Sequence, residues 1–160
     1  MLQAFCDGSI VGGHWGKKTG PKTIPKAYSG WWVRDAAGQV LHWKSIDLGE
    51  GEYMSANVAE YFAVRSALRW LAGSVWRNQG VEVNSDSQVV IRQLQGKYHC
   101  YEPKLITLRD ACLKLAQTFP RVVYRWIRRE QNKEADVLSK ALQVWGRQAA
   151  TWDEVLGAVK

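Results

Sequence analysis

The chain has 160 residues, 46% hydrophobic and 23% charged, which is the length of one domain with enough apolar content for a sizeable core. That balance excludes a disordered chain, and no apolar run approaches the ~20 residues that a membrane span needs. The net charge of +7 leaves two readings open, simple solubility or a polyanionic partner such as nucleic acid or an anionic membrane.

Residues 2–6 form a short apolar run, read as a central strand ending on Asp7-Gly8-Ser9. Gly8 lets backbone or substrate come close to Asp7. Residues 12–26 are rich in Gly and Pro and carry Lys17, Lys18, Lys22 and Lys26, a long basic loop suited to attracting phosphate. Residues 28–34 and 39–44 are aromatic and β-branched, and Asp35-Ala36-Ala37-Gly38 between them makes a hairpin. Residues 46–53 read as a loop or edge segment.

Ser55 is placed to cap a helix in which Tyr61, Val64, Leu68 and Leu71 form an apolar stripe. Glu60 lies at the edge of that stripe, and a Glu so early in a helix ordinarily meets solvent or the helix dipole. Val81 and Val83 alternate into a strand that leads to Asp86, and Val89, Val90 and Leu94 lead out with helical period. An Asp there is ordinarily an N-cap, yet the carboxyl end of a parallel strand is also where open α/β sheets build their sites.

Pro103 is placed at the first turn of the next helix, with Leu105, Leu108, Cys112 and Leu115 as its buried stripe. Residues 122–127 are a strand, residues 128–132 a polar turn, and a last core helix carries Asp136, Leu138 and Leu142. Residues 1–142 are therefore read as one domain holding the core elements, and 143–160 as an extension forming a short helix packed on it. The fold class is α/β: a five-stranded mixed sheet flanked by helices, its first three strands antiparallel and its last two parallel to the first.

Cys6, Cys100 and Cys112 are odd in number and lack CxxC spacing, so neither a disulfide framework nor a zinc site is expected. The N-terminus has no charged segment followed by an apolar one, so no signal peptide is read and a cytoplasmic location is expected. His14, His42 and His99 are scattered and read as structural or surface residues. Trp15, Trp31 and Trp32 are read mainly as packing, with stacking on a sugar or base as the lesser alternative.

In this topology the first and fourth strands lie side by side, which makes Asp7 and Asp86 neighbours. The helix with Glu60 crosses beside them, and the last helix brings Asp136 to the rim. Two carboxylates ~4 Å apart repel by roughly 4 kcal/mol at an effective dielectric of 20. Four together call for cations or raised pKa values. An oxygen-only donor set without His or Cys selects a hard ion, Mg²⁺ or Mn²⁺. A pair of such ions suits phosphodiester cleavage.

The sequence also resembles type 1 ribonuclease H, in its compact prokaryotic and plant-like branch. The matching motifs are Cys6-Asp7-Gly8-Ser9, Ser55-Ala56-Asn57-Val58-Ala59-Glu60-Tyr61, Ser85-Asp86-Ser87-Gln88 and Arg129-Glu130-Gln131-Asn132-Lys133-Glu134-Ala135-Asp136. The resemblance implies a monomeric endonuclease, without organic cofactor or membrane partner, that cuts the RNA strand of an RNA–DNA hybrid. It would use two Mg²⁺ ions, with Mn²⁺ possible, and leave 3′-hydroxyl and 5′-phosphate ends. It puts the metal ligands on Asp7, Glu60, Asp86 and Asp136. It puts substrate contacts on Gly8, Ser9, Ser55, Asn57, Gln88 and Asn132, of which Asn57 and Gln88 face the minor groove.

Three departures stand out. Arg128 and Arg129 replace a loop His, so Arg129 would hold a phosphate or ease product departure rather than act as a base. Ala56 replaces a usual Asn, and the loop after Ser9 is longer than is usual. The basic helical handle and separate hybrid-binding domain of some relatives are missing, and the basic loop could substitute for them. A nuclease of the same fold acting on double-stranded RNA or DNA junctions, and a catalytically silent nucleic-acid-binding module, are the alternatives.

Overall fold

The structure is a computed structural model that describes residues 1–13 and 23–160. His14, Trp15 and most of the basic loop lie outside the described residues. The elements in order are β1 (Leu2–Val11), β2 (Lys26–Arg34), β3 (Val40–Glu50), α1 (Ala56–Ala72), β4 (Val81–Ser85), α2 (Gln88–Leu94), α3 (Pro103–Ala116), β5 (Val122–Trp126), α4 (Lys133–Trp145) and α5 (Trp152–Val159). A 3₁₀ turn, Arg129–Gln131, precedes α4.

The sheet order is β3-β2-β1-β4-β5. β1 pairs antiparallel with β2 and β2 with β3, while β4 lies parallel to β1 and β5 parallel to β4. This is the expected mixed sheet. Two strands are longer than the sequence implied. β1 does not stop before Asp7 but runs to Val11, because β2 stays paired with it through Lys26. β3 takes in most of the segment read as a loop or edge segment, continuing to Glu50 against β2 as the edge strand of the sheet.

Each face of the sheet has its own core. Trp31, Val33, Val81 and Val83 face α1 and α3, packing against Tyr61, Val64, Leu68 and Cys112. On the other face Phe5 and Trp32 stack at 4.5 Å and 13°, and α4 and α5 close over them with Leu138 and Val155. Trp152 of α5 packs on Trp32 at 4.7 Å and on Trp43 at 5.6 Å. Trp31 and Trp32 are both buried, which removes them as bases' stacking partners. α4 runs through residue 142 to Trp145, and Gly146 ends it in the left-handed conformation at φ 70°. Residues 143–145 thus continue the helix that carries Asp136. Cys6, Cys100 and Cys112 are free thiols. Among the described residues no helix is long and apolar enough to cross a membrane.

Two glycines set how closely the helices approach. A Cβ on Gly8 would lie 2.6 Å from the Glu60 backbone nitrogen, so β1 touches α1 there. A Cβ on Gly30 would run into the backbone nitrogen of Ser139, so β2 touches α4. Gly30→Ala is expected to destabilise by about 1–3 kcal/mol through overpacking. Thermal unfolding would show a Tm lower by roughly 2–4 °C per kcal/mol. An unchanged Tm would contradict this contact.

Candidate active site

The last β1–β4 register pair is Cys6 with Ser85. Asp7 and Asp86 follow those two residues directly, so the parallel register sets their carboxylates side by side where β4 ends. The N-cap of α2 is Ser87, not Asp86: the Ser87 hydroxyl accepts from Val90 N at 3.3 Å. The cap reading of Asp86 therefore fails, and its carboxylate is left for the cluster.

Glu60 overturns its solvent reading. It is only 6% exposed, because Gly8 lets the first turns of α1 lie directly on β1. Ser85 Oγ donates to Glu60 Oε2 at 3.3 Å and accepts from Ser87 N at 3.1 Å. Carboxylate oxygens of Asp7, Glu60 and Asp86 all lie within 4.8 Å of one another. Asp136 stands at the rim, outside that group of three and half-exposed, its carboxylate 2.9 Å from Lys140 Nζ one turn further along α4.

Burial pushes the Asp7 carboxyl up to about 7, and the charges of Asp86 and Asp136 add to this. Hydrogen bonding with Glu60 and the Gly8 N–H, 2.9 Å from Asp7 Oδ1, oppose it. Burial, then the charge of Asp7, raises Glu60 well above the carboxylate range. Burial also raises Asp86, against a hydrogen bond from Asn132 and the positive charge of Arg129. These shifts express desolvation plus like-charge repulsion, with too little positive charge nearby to offset them. A hard divalent cation fits such an oxygen-only, anionic and largely dry donor set.

The remaining sequence-expected residues divide in two. Asn132 is fully buried, which is incompatible with a substrate contact. Its Nδ2 donates to Cys6 O at 2.9 Å and to Asp86 Oδ2 at 3.4 Å, tying the start of α4 to both strands. Its Oδ1 has no hydrogen-bond partner. Ser9 Oγ donates to Ser139 O at 2.9 Å and Gly8 packs on α1, with both residues half-buried. Ser55 caps α1, its hydroxyl accepting from Val58 N at 3.2 Å.

Asn57 and Gln88 stand in the first turns of α1 and α2, half-buried and exposed respectively, with side-chain amides free of partners among the described residues. Arg129 is exposed on the 3₁₀ turn beside Asp86. The sequence reading missed Ser85, Lys140 and Trp126, whose indole donates to Asp86 O at 3.2 Å. Only Lys140 carried a signal, its i,i+4 spacing from Asp136.

Residues 19–142 match the reverse transcriptase-like family. The chain is 34% identical over 93 residues to the uncharacterized protein YpeP of Bacillus subtilis, covering 54% of this chain and 38% of YpeP. It thus spans well under half of that relative's length. Its structure is similar to that of LC11-RNase H1, isolated from compost and solved in complex with an RNA/DNA hybrid. The identity there is 31% and the TM-score 0.69, over 86% of this chain and 93% of that one. RNase H1 of Halobacterium salinarum shares the fold, with a TM-score of 0.74 over 89% and 96% of the two chains at 24% identity.

Folded Asp7 holds its proton up to about pH 7, while unfolded it does so only to about 4. The metal-free protein therefore loses stability as pH rises between those values. Asp7→Asn removes that loss. In EDTA its Tm is expected to exceed that of the wild type by an amount that grows from pH 4 and levels off above pH 7, by roughly 2–4 °C per kcal/mol relieved. A difference independent of pH would contradict the burial of this charge.

Proposed function

The chain belongs to the reverse transcriptase-like family, in its type 1 ribonuclease H branch, and on that premise we propose a metal-dependent endoribonuclease that hydrolyses the RNA strand of RNA–DNA hybrids. The observation that carries this reading is the meeting of buried Asp7 and Glu60 with half-buried Asp86, and Asp136 at its rim. We assign to these four the binding of two Mg²⁺ ions, with Mn²⁺ as the alternative. Bound, the ions would supply Lewis-acid charge to the attacking and leaving oxygens of the scissile phosphate, with 3′-hydroxyl and 5′-phosphate products.

The protein's own groups do the positioning. Asn132 holds Asp86 against the end of β1, and Ser85 holds Glu60. Lys140 orients the Asp136 carboxylate and offsets part of the charge. Asn57 and Gln88 present free amides at two neighbouring helix starts, suited to reading 2′-hydroxyls and base edges across the minor groove. Those amides favour a hybrid substrate over DNA junctions. Ser55 is assigned to a DNA phosphate beside its capping role, and Arg129 to holding a phosphate or easing product departure. The enzyme is taken to act as a cytoplasmic monomer without organic cofactor.

A substrate panel of labelled RNA–DNA hybrid, double-stranded RNA and DNA duplex, with Mg²⁺, Mn²⁺ or EDTA, tests the reading. Cutting is expected only of the RNA strand of the hybrid and only with metal. Asp86→Asn is expected to abolish it while hybrid binding in EDTA persists. Equal cutting of duplex DNA, or cutting in EDTA, would refute the assignment.

A further inference from the structure

The carboxylate cluster uses the first turns of α1, and the outer face of the same helix carries a second feature. Three shallow grooves run side by side from the edge of the sheet at β3, across α1, to α3. The first, about 560 Å³, is lined by His42, Trp43, Lys44 and Trp70 among others. The second, about 380 Å³, lies between β3 and α1 and shares Lys44 with the first. The third, about 390 Å³, lies between α1 and α3, shares Arg65 and Arg69 with the second and adds Lys114. The shared residues join the grooves into one track.

Lys44, Arg65, Arg69 and Lys114 have no ion-pair partner among the described residues. Nearby cations differ, since Lys26 is held by Asp47 and Arg109 by Asp110. The acids of α1 and α3 are Glu60, which is buried, and Asp110, which Arg109 engages. Uncompensated positive charge thus lines the track, a field that draws anions.

The first groove adds flat rings to this charge. The exposed His42 ring stacks on Trp70 at 4.6 Å and 7°. A row of cations leading to an aromatic stack at its end suits single-stranded nucleic acid, phosphates on the former and an unpaired base on the latter. A membrane surface would ask instead for protruding apolar side chains, and Ile46, Leu48 and Leu115 along the track are half-buried. The track is also distinct from the cluster. Arg69 follows Glu60 by nine residues, about 14 Å along the helix axis.

We propose that this β3–α1–α3 face is a second nucleic-acid-binding surface, taking single-stranded nucleic acid with its phosphates on Lys44, Arg65, Arg69 and Lys114 and a base against the exposed His42 ring, which Trp70 backs from behind. It goes beyond the cleavage reading and needs neither metal nor a competent active site. The test is fluorescence anisotropy of a labelled oligothymidylate of about 20 nucleotides with the full chain in EDTA, at several salt concentrations. Four phosphate contacts give a slope of log K against log salt of about −3 for the wild type.

The double variant Arg65→Gln/Arg69→Gln is expected to bind roughly tenfold or more weakly, with a slope near −1.4. Lys44→Gln/Lys114→Gln is expected to behave alike. A control, Arg121→Gln/Lys160→Gln, removes the same charge elsewhere and is expected to bind as the wild type does. Unaltered Tm in all three excludes misfolding. Equal weakening by the control and the track variants, or no weakening by either track pair, would overturn the proposal.

Discussion

Three carboxylates that meet within 4.8 Å, Asp7 and Glu60 buried and Asp86 half-buried, cannot all be ionised in so dry a site without positive charge, and the rest of this structure is arranged around that constraint. Desolvation and mutual repulsion push Asp7, Glu60 and Asp86 upward together. The protein offsets this in part from outside, through Arg129 beside Asp86 and Lys140 on Asp136. No basic side chain is seated inside the group of three among the described residues. Such an arrangement is destabilising for a metal-free fold, which supports the proposed role of these oxygens as cation ligands.

The fold holds the acids together with backbone rather than with flexible side chains. The parallel register of β1 and β4 fixes the relative positions of Asp7 and Asp86. The bare Cα of Gly8 brings α1, and with it Glu60, against β1. Asn132 pins the start of α4 to Cys6 and Asp86, so the helix carrying Asp136 is anchored from within. Two aromatic-rich cores, one per face of the sheet, make this frame rigid enough to resist the repulsion at its edge.

Much of this was legible in the amino-acid order. The helical stripe of Tyr61, Val64, Leu68 and Leu71 and the alternating Val81 and Val83 have unambiguous periods, so element types and sheet order followed. The meeting of Asp7, Glu60 and Asp86 was legible through their motifs and through the strand order that sets Asp7 beside Asp86, while Asp136 stands outside that group at the rim. What failed was local. Asp86 and Ser87 are both good cap residues, and only geometry shows that Ser87 takes the part. Asn132 reads as an ordinary polar turn residue, because burial of one amide depends on how α4 docks. The extents of β1 and β3 were underestimated because pairing with β2, not intrinsic preference, extends them. Trp31 and Trp32 look alike in sequence but pack on opposite faces of the sheet, each in a different core.

The central claim is that cations, rather than protons, are what the carboxylates are built to hold. Its most direct measurement is titration calorimetry of Mn²⁺ or Mg²⁺ into the metal-free protein at pH 6–7, repeated in buffers of different ionisation enthalpy. Raised carboxyl groups must shed protons as the ions enter, so the apparent enthalpy should vary with the buffer and report net proton release, which shrinks toward pH 9. Binding without proton release, or no binding at millimolar metal, would contradict the account.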